Sequence, residues 1–206
     1  IEEAALGAEI VAYHEAEELK DREFMTSSCC PAFVKYIKTK FPALTEHISG
    51  SLSPMAVTGK LIKDRDPDAK VVFIGPCTAK KAEIRDPRVS PYIDYVMTFE
   101  ELQALIDSKD IEVNKLPELD LNEASYFGRI FARTGGVTEA IREAVKEHGY
   151  EGMKFEPAVC DGIDKCKTAL LKAGRGIFTS NFIEGMACID GCIGGAACLK
   201  HGDSNK

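Results

Sequence analysis

Apolar residues recur through the first twenty positions at helical spacing, not strand spacing. Leu6, Ile10, Tyr13 and Leu19 fall near one side of a helix from Glu2 to Lys20, a stretch with one Gly and no Pro. Glu15 and Glu18, three apart, project from a common side of that helix, and by periodicity alone they read as a solvated acidic face. After a short loop, Pro31 suits the first turn of a second helix through Val34 and Ile37, which Pro42 ends. Ser53-Pro54 supplies an N-cap hydroxyl and a first-turn proline for a third helix, running to about Ile62. Asp64-Arg65-Asp66-Pro67-Asp68 then reads as a turn.

From there the period changes. Ala69 to Ile74 is a short β-branched run that predicts a buried strand, delivering Gly75-Pro76-Cys77 at its C-terminal end. In open α/β sheets, ligands collect at that end of the strands. Tyr92 to Met97 is a second strand, and Thr98-x-x-Glu101 forms a capping box for a helix from Phe99 to about Ser108. Asp110 to Arg129 is acidic and irregular, a surface excursion. Thr134-Gly135-Gly136 opens a helix to about His148; Phe155 to Cys160 is a strand, Ile163 to Lys172 a helix, and Gly176 to Ile183 a fourth strand. Strands alternating with helices predict an α/β chain with a mainly parallel sheet.

With 206 residues, 45% of them hydrophobic, the chain can bury one substantial core or two modest lobes. A formal charge of −7 argues against a nucleic-acid or anionic-membrane surface. No apolar run approaches the roughly 20 residues that span a bilayer. The start, Ile1-Glu2-Glu3, is neither an initiator methionine nor a signal peptide, so the chain reads as an excerpt of something longer.

Eight cysteines without secretory features read as metal ligands or redox thiols before disulfides. They concentrate in Thr26-Ser27-Ser28-Cys29-Cys30-Pro31, in Pro76-Cys77-Thr78-Ala79-Lys80-Lys81-Ala82-Glu83, and in Glu184-Gly185-Met186-Ala187-Cys188-Ile189-Asp190-Gly191-Cys192. Cys30, Cys77, Cys188 and Cys192 can give one thiolate to each iron of a [4Fe-4S] cube if strand ends and loops converge. Glycines after Cys188 let backbone approach such a cluster closely. Zinc is the structural rival, but its ligands usually come as matched close pairs and here there is one such pair. Cys160 and Cys166 read as ordinary buried cysteines, and Cys198 has no assigned role.

The three motifs resemble, in order and in detail, those of the catalytic domain of [FeFe]-hydrogenases. The likeness extends to Leu6-Gly7-Ala8-Glu9, Glu15 to Leu19, Ser49 to Pro54 and Phe131 to Val137, and so covers almost the whole chain. It implies a single partial catalytic domain over residues 1–206, without its N-terminal strand region and any ferredoxin-like domains. The implied fold is two lobes with mainly parallel sheets flanked by helices, the cluster held between them. Cys30, Cys77, Cys188 and Cys192 would hold the cube of an H-cluster. Cys192 would also bridge to a two-iron subsite carrying carbonyl, cyanide and azadithiolate ligands.

By the same resemblance, Cys29 is the first group to carry a proton away from that subsite, and Glu18, Ser49 and Glu15 relay it to solvent. Lys80 donates to a cyanide, Glu83 partners that region, and Met186, Phe131, Ser53 and Pro54 belong to the pocket. Gly75, Met55 and Gly194-Gly195-Ala196-Ala197 depart from well-known active members and mark a divergent subgroup. The implied activity is reversible H2 oxidation and proton reduction. Its electron partner would be ferredoxin or another low-potential carrier, its subsite would come from maturation proteins, and its setting would be an oxygen-poor cytoplasm. The alternative is a non-catalytic relative, either an H2 sensor or an iron–sulfur assembly-like protein. Cys29, Lys80 and Met186, which a cube alone has no need of, favour the enzyme.

Overall fold

The computed structural model describes residues 1–150 and 152–199. In chain order, α1 (Ala4–Lys20) leads through the two-residue strand β1 (Met25–Thr26) to α2 (Pro31–Lys40), a 3-10 segment (Pro42–His47) and α3 (Pro54–Arg65). Then come β2 (Val72–Gly75), the single turn α4 (Lys80–Glu83), β3 (Tyr95–Thr98) and α5 (Phe99–Asp107). A 3-10 turn (Val113–Lys115) precedes α6 (Tyr126–Ile130), α7 (Gly136–Glu147), β4 (Pro157–Asp161), α8 (Ile163–Gly174), β5 (Phe182–Met186) and the turn Cys192–Gly194.

The strands form two parallel sheets. One has the order β1-β5-β4, with Met25 opposite Phe182 and Asp161 opposite Met186. The other pairs β2 with β3, Gly75 opposite Thr98. Parallel pairing brings the C-terminal ends of a sheet's strands to one side, and the cysteine motifs follow those ends. Along β5, successive side chains go to opposite faces. Phe182 joins a core with Val11, Leu19, Met25 and Ile141, while Ile183 joins Phe33, Ile37, Cys166 and Leu170. Met55, Val71, Val89 and Ile93 make a third, smaller core beside the second sheet.

Helix α1 buries Gly7, Ala8, Val11, Ala12, Glu15, Ala16 and Leu19. The expected face is therefore rotated, for Leu6, Ile10 and Tyr13 are only half-buried. Side-chain size explains the shift. A Cβ on Gly7 would lie 2.3 Å from the Pro54 carbonyl oxygen and 2.4 Å from the Thr58 hydroxyl, so the small-residue stripe is what lets α1 and α3 touch.

Other boundaries also moved. Met25 and Thr26, expected as loop, form a strand, and the fourth strand runs from Phe182 to Met186 instead of Gly176 to Ile183. The expected burial of β2 fails: Val72 and Ile74 are 44% and 41% exposed, because the paired strands are covered on one side only. The 110–129 stretch is mainly irregular as expected, but it ends in α6, capped by the Ser125 hydroxyl. The Thr98 capping box makes both of its hydrogen bonds. Among the described residues, no helix is long and apolar enough to cross a membrane.

Candidate functional site

Cys29 and Cys30 follow β1, Cys77 follows β2, and Cys188 and Cys192 follow β5. The expected ligand thiols come together. Cys188 is close enough to Cys30 and Cys77, and Cys192 to Cys30, Cys77 and Cys188, for their charges to oppose one another. Burial is the larger effect, pushing Cys188 up and Cys192 to about 12. Thiols this costly to ionise become thiolates when a metal supplies compensating positive charge. The donor set fits an iron–sulfur cluster on that ground. Among the described residues, no three His, Cys, Asp or Glu side chains gather round a single-ion site. A tetrahedral zinc centre needs such a gathering, whereas a cube spreads one thiolate over each iron. All eight cysteines are free thiols.

Backbone contacts lock the last motif onto its neighbours. The Cys192 N–H donates to the Ala132 carbonyl at 2.7 Å, and Gly191 bridges to Arg133. Gly191 has φ 76° and ψ −153°, a region open essentially to glycine alone. A Cβ there would also meet Met186 Sδ at 2.7 Å and Ala132 O at 2.8 Å. The Ala197 N–H donates to the Pro76 carbonyl at 3.1 Å, joining the second motif to the third.

Glu184 is a residue the sequence reading passed over. It is wholly buried in β5, and its carboxylate accepts the N–H of Gly135 at 2.6 Å and of Thr138 at 2.8 Å. Burial raises its pKa despite those bonds. It fixes the start of α7, and with it the segment that receives Cys192. The available signal was an acidic residue set between Ile183 and Gly185 in a run that had to be a buried strand; such a carboxylate requires partners.

Beside the thiols lies a cavity of about 1160 Å³ whose walls include Cys29, Cys77, Cys192, Lys80, Phe131, Met186 and Pro54. Lys80 is buried at its edge, donating to the Cys29 carbonyl at 3.2 Å and pairing with Glu83 at 2.6 Å. It is a cation held in place, favourable to an anionic occupant. Ser53 is not in the wall; it is buried and caps α3 through the Ala56 N–H at 3.5 Å. Cys198 also faces the cavity. Cys160 and Cys166 do not: 6% and 0% exposed, they pack with Leu170 as small apolar residues.

A line of polar groups runs from this cavity to the surface. Burial pushes the Cys29 thiol well above its ordinary value, with Glu15 the next cause. Glu15 is fully buried, so the acidic-face expectation fails for it. Its Oε1 accepts the Ser28 N–H at 3.2 Å, and its Oε2 has no partner. Burial raises its pKa to about 8, with Ser28 and Ser49 opposing in part. Ser49 Oγ accepts the Ser51 N–H at 3.1 Å, which leaves its hydrogen to donate to Glu18 Oε2 at 2.8 Å. Glu18 also accepts the Gly50 N–H and pairs with Arg22 at 2.6 Å, where the side chains are 21% and 33% exposed. The spatial order is thus Cys29, Glu15, Ser49, Glu18, Arg22. Arg22 was missed in the sequence, although its spacing of four from Glu18 on one helix was a usable signal.

Residues 1–196 match the family described as iron only hydrogenase large subunit, C-terminal domain. Iron hydrogenase 1 of Clostridium pasteurianum is 30% identical over 92% of this chain and 41% of its own length. A cytosolic Fe-S cluster assembly factor of Kluyveromyces lactis is 34% identical, over 41% of this chain and 18% of its own. An [FeFe]-hydrogenase structure from Chlamydomonas reinhardtii superposes with a TM-score of 0.77 at 21% identity, over 98% of this chain and 71% of that one. The chain spans about two fifths of the length of the Clostridium relative. By the match over residues 1–196, it belongs to the iron-only hydrogenase large subunit, C-terminal domain family.

Proposed function

We propose that this domain holds a [4Fe-4S] cube on Cys30, Cys77, Cys188 and Cys192, with a two-iron subsite on Cys192 in the adjoining cavity. Its reaction is then the reversible heterolysis of H2 to protons and electrons. When bound, the iron group supplies the redox couple and the place where H2 is split. Everything else falls to the protein. Lys80, fixed between the Cys29 carbonyl and Glu83, holds its side-chain nitrogen at the edge of the cavity as a donor to an anionic occupant. Phe131 and Met186, 4% and 2% exposed, line it with apolar surface.

The observation that carries this reading is the polar line leaving the cavity. A proton relay needs titratable or hydroxyl groups at hydrogen-bond reach, directly or through one water. Cys29 is placed to take a proton at the cavity wall. Glu15, protonated at neutral pH by its raised pKa, neighbours both Cys29 and Ser49, and its unpartnered Oε2 is the atom a bridging water would meet. The Ser49 hydroxyl donates to Glu18, and Glu18 meets solvent beside Arg22. A protein that only stored a cube would have no use for such a line.

Ferredoxin or another low-potential carrier is the proposed electron partner, maturation proteins the source of the subsite, and an oxygen-poor cytoplasm the setting. The match to a Fe-S cluster assembly factor supports a second reading, a cube-binding protein without turnover. An infrared spectrum separates the two, recorded after anaerobic reconstitution and loading of the full-length parent chain with a synthetic two-iron precursor. Carbonyl and cyanide bands that shift under H2, with turnover abolished in Cys29→Ala while the bands persist, are expected. A reconstituted cube with no protein-bound carbonyl bands would refute the enzyme.

A further inference from the structure

We propose that Asp161 is a positioning residue for the cluster, its carboxylate presetting the loop that carries Cys188 and Cys192. This rests on reading those two cysteines as ligands. Asp161 ends β4, opposite Met186 in the register, with its side chain 8% exposed. Oδ2 accepts the Asp190 N–H at 2.9 Å and the Thr134 hydroxyl at 3.3 Å, while Oδ1 takes the Lys165 ammonium at 2.5 Å. None of these three donors is a backbone N–H of α8, so the carboxylate is not that helix's cap.

Asp190 stands midway between Cys188 and Cys192 and adopts φ 64°, a left-handed conformation that side chains disfavour. Asp tolerates this region better than most residues, and the bond from its N–H to Asp161 is one contact that holds the turn in place. The next residue of β4's end grips the other half of the loop. Gly162 N–H is shared between the Met186 carbonyl at 2.9 Å and the Cys188 carbonyl at 3.1 Å. Through Thr134, the same Oδ2 also reaches the segment whose Ala132 carbonyl receives the Cys192 N–H. One carboxylate oxygen therefore sets the cluster loop against the cavity wall. Lys165, on the outer side, keeps the carboxylate charged and oriented.

Outer groups that orient a ligand typically change metal affinity 10- to 100-fold when removed. The test is anaerobic reconstitution of the full-length parent chain as wild type, Asp161→Ala, Asp161→Asn and Asp94→Ala. Bound iron and sulfide are then counted, cluster loss under excess iron chelator is followed, and electron paramagnetic resonance of the reduced cube is recorded. Asp161→Ala should lose its cluster roughly tenfold faster than wild type, with an altered resonance. Asp161→Asn, which keeps an acceptor oxygen in place, should fall between.

Asp94 also accepts a backbone N–H, that of Val71 at 2.8 Å, but remote from the cysteine motifs, and its removal should leave the loss rate unchanged. Equal rates and spectra for wild type and Asp161→Ala would overturn the proposal, as would an Asp94→Ala effect of the same size. If Asp161→Ala does not fold, Asp161→Asn and Thr134→Val decide, and wild-type rates in both would overturn it. A wild type that takes up no cube fails alike with every variant, which overturns the ligand reading and this proposal together.

Discussion

Replacing Glu15 by glutamine should remove one large part of the alkaline sensitivity of this fold. In the unfolded chain Glu15 releases its proton near 4.5; folded, it does so near 8, because burial opposes the charged form more than Ser28 and Ser49 favour it. Between those values the folded state holds a proton that the unfolded state has lost. Stability from this group is therefore full below 4.5, falls as pH rises, and levels off above 8. Integrating over the two titrations gives a loss of about 4 kcal/mol between about pH 5 and about pH 9.

Glutamine has the same shape, keeps an oxygen for the Ser28 N–H and cannot ionise. Denaturant unfolding of the anaerobically purified wild type and Glu15→Gln over that pH range reads the effect. Groups that titrate in both proteins cancel in the difference between the two profiles. The variant should match the wild type near pH 5 and exceed it by several kcal/mol near pH 9. Parallel profiles would show that Glu15 is solvated or already ionised, and the picture of a buried, proton-loaded acid would be wrong.

Truncating Glu184 to alanine leaves the N–H groups of Gly135 and Thr138 without their acceptor. It should cost about 3 kcal/mol in urea unfolding, with glutamine recovering part of it. Gly191→Ala forces a side chain into a backbone region that excludes it and against Met186 Sδ. A loss of about 2 kcal/mol or more is expected, with reduced iron content after reconstitution. Lys80→Met strands the Glu83 carboxylate, whose side chain is 12% exposed. A destabilisation of about 3 kcal/mol should follow, reversed in large part by adding Glu83→Gln.

Local chemistry was what the sequence displayed best. Thr98 and Glu101 announced their capping box, Ser53-Pro54 its helix start, and the alternation of strand and helix signals the parallel sheets. What escaped depended on neighbours distant in the chain. Met25 and Thr26 are strand only because β5 lies beside them, and two residues are too few to show a period. Glu184-Gly185 looked like the end of a strand. Yet Gly185 sits mid-strand because the Phe33 ring passes where its Cβ would be, 2.1 Å away, and Glu184 is held by α7. Helical spacing put Glu15 and Glu18 on one side of α1 but could not say that Glu15 points inward. That is settled by Gly7, Ala8 and Ala12, whose smallness draws the helix in. Sequence spacing likewise found the cysteines but not Asp161, which acts through the Asp190 backbone and leaves no motif.

The four gathered thiols also bear on how the molecule comes apart. Cys77 hangs from the second sheet, whereas Cys30, Cys188 and Cys192 hang from the first. About 50 residues separate Cys30 from Cys77, and about 110 separate Cys77 from Cys188. On the proposed ligand set, a cube would be a cross-link that closes both spans at once, restraining the unfolded chain far more than a local contact can. On that reading, removing the iron would release this cross-link and leave hydrogen bonds, such as Ala197 N–H to the Pro76 carbonyl and Lys80 to the Cys29 carbonyl, to join the cysteine motifs.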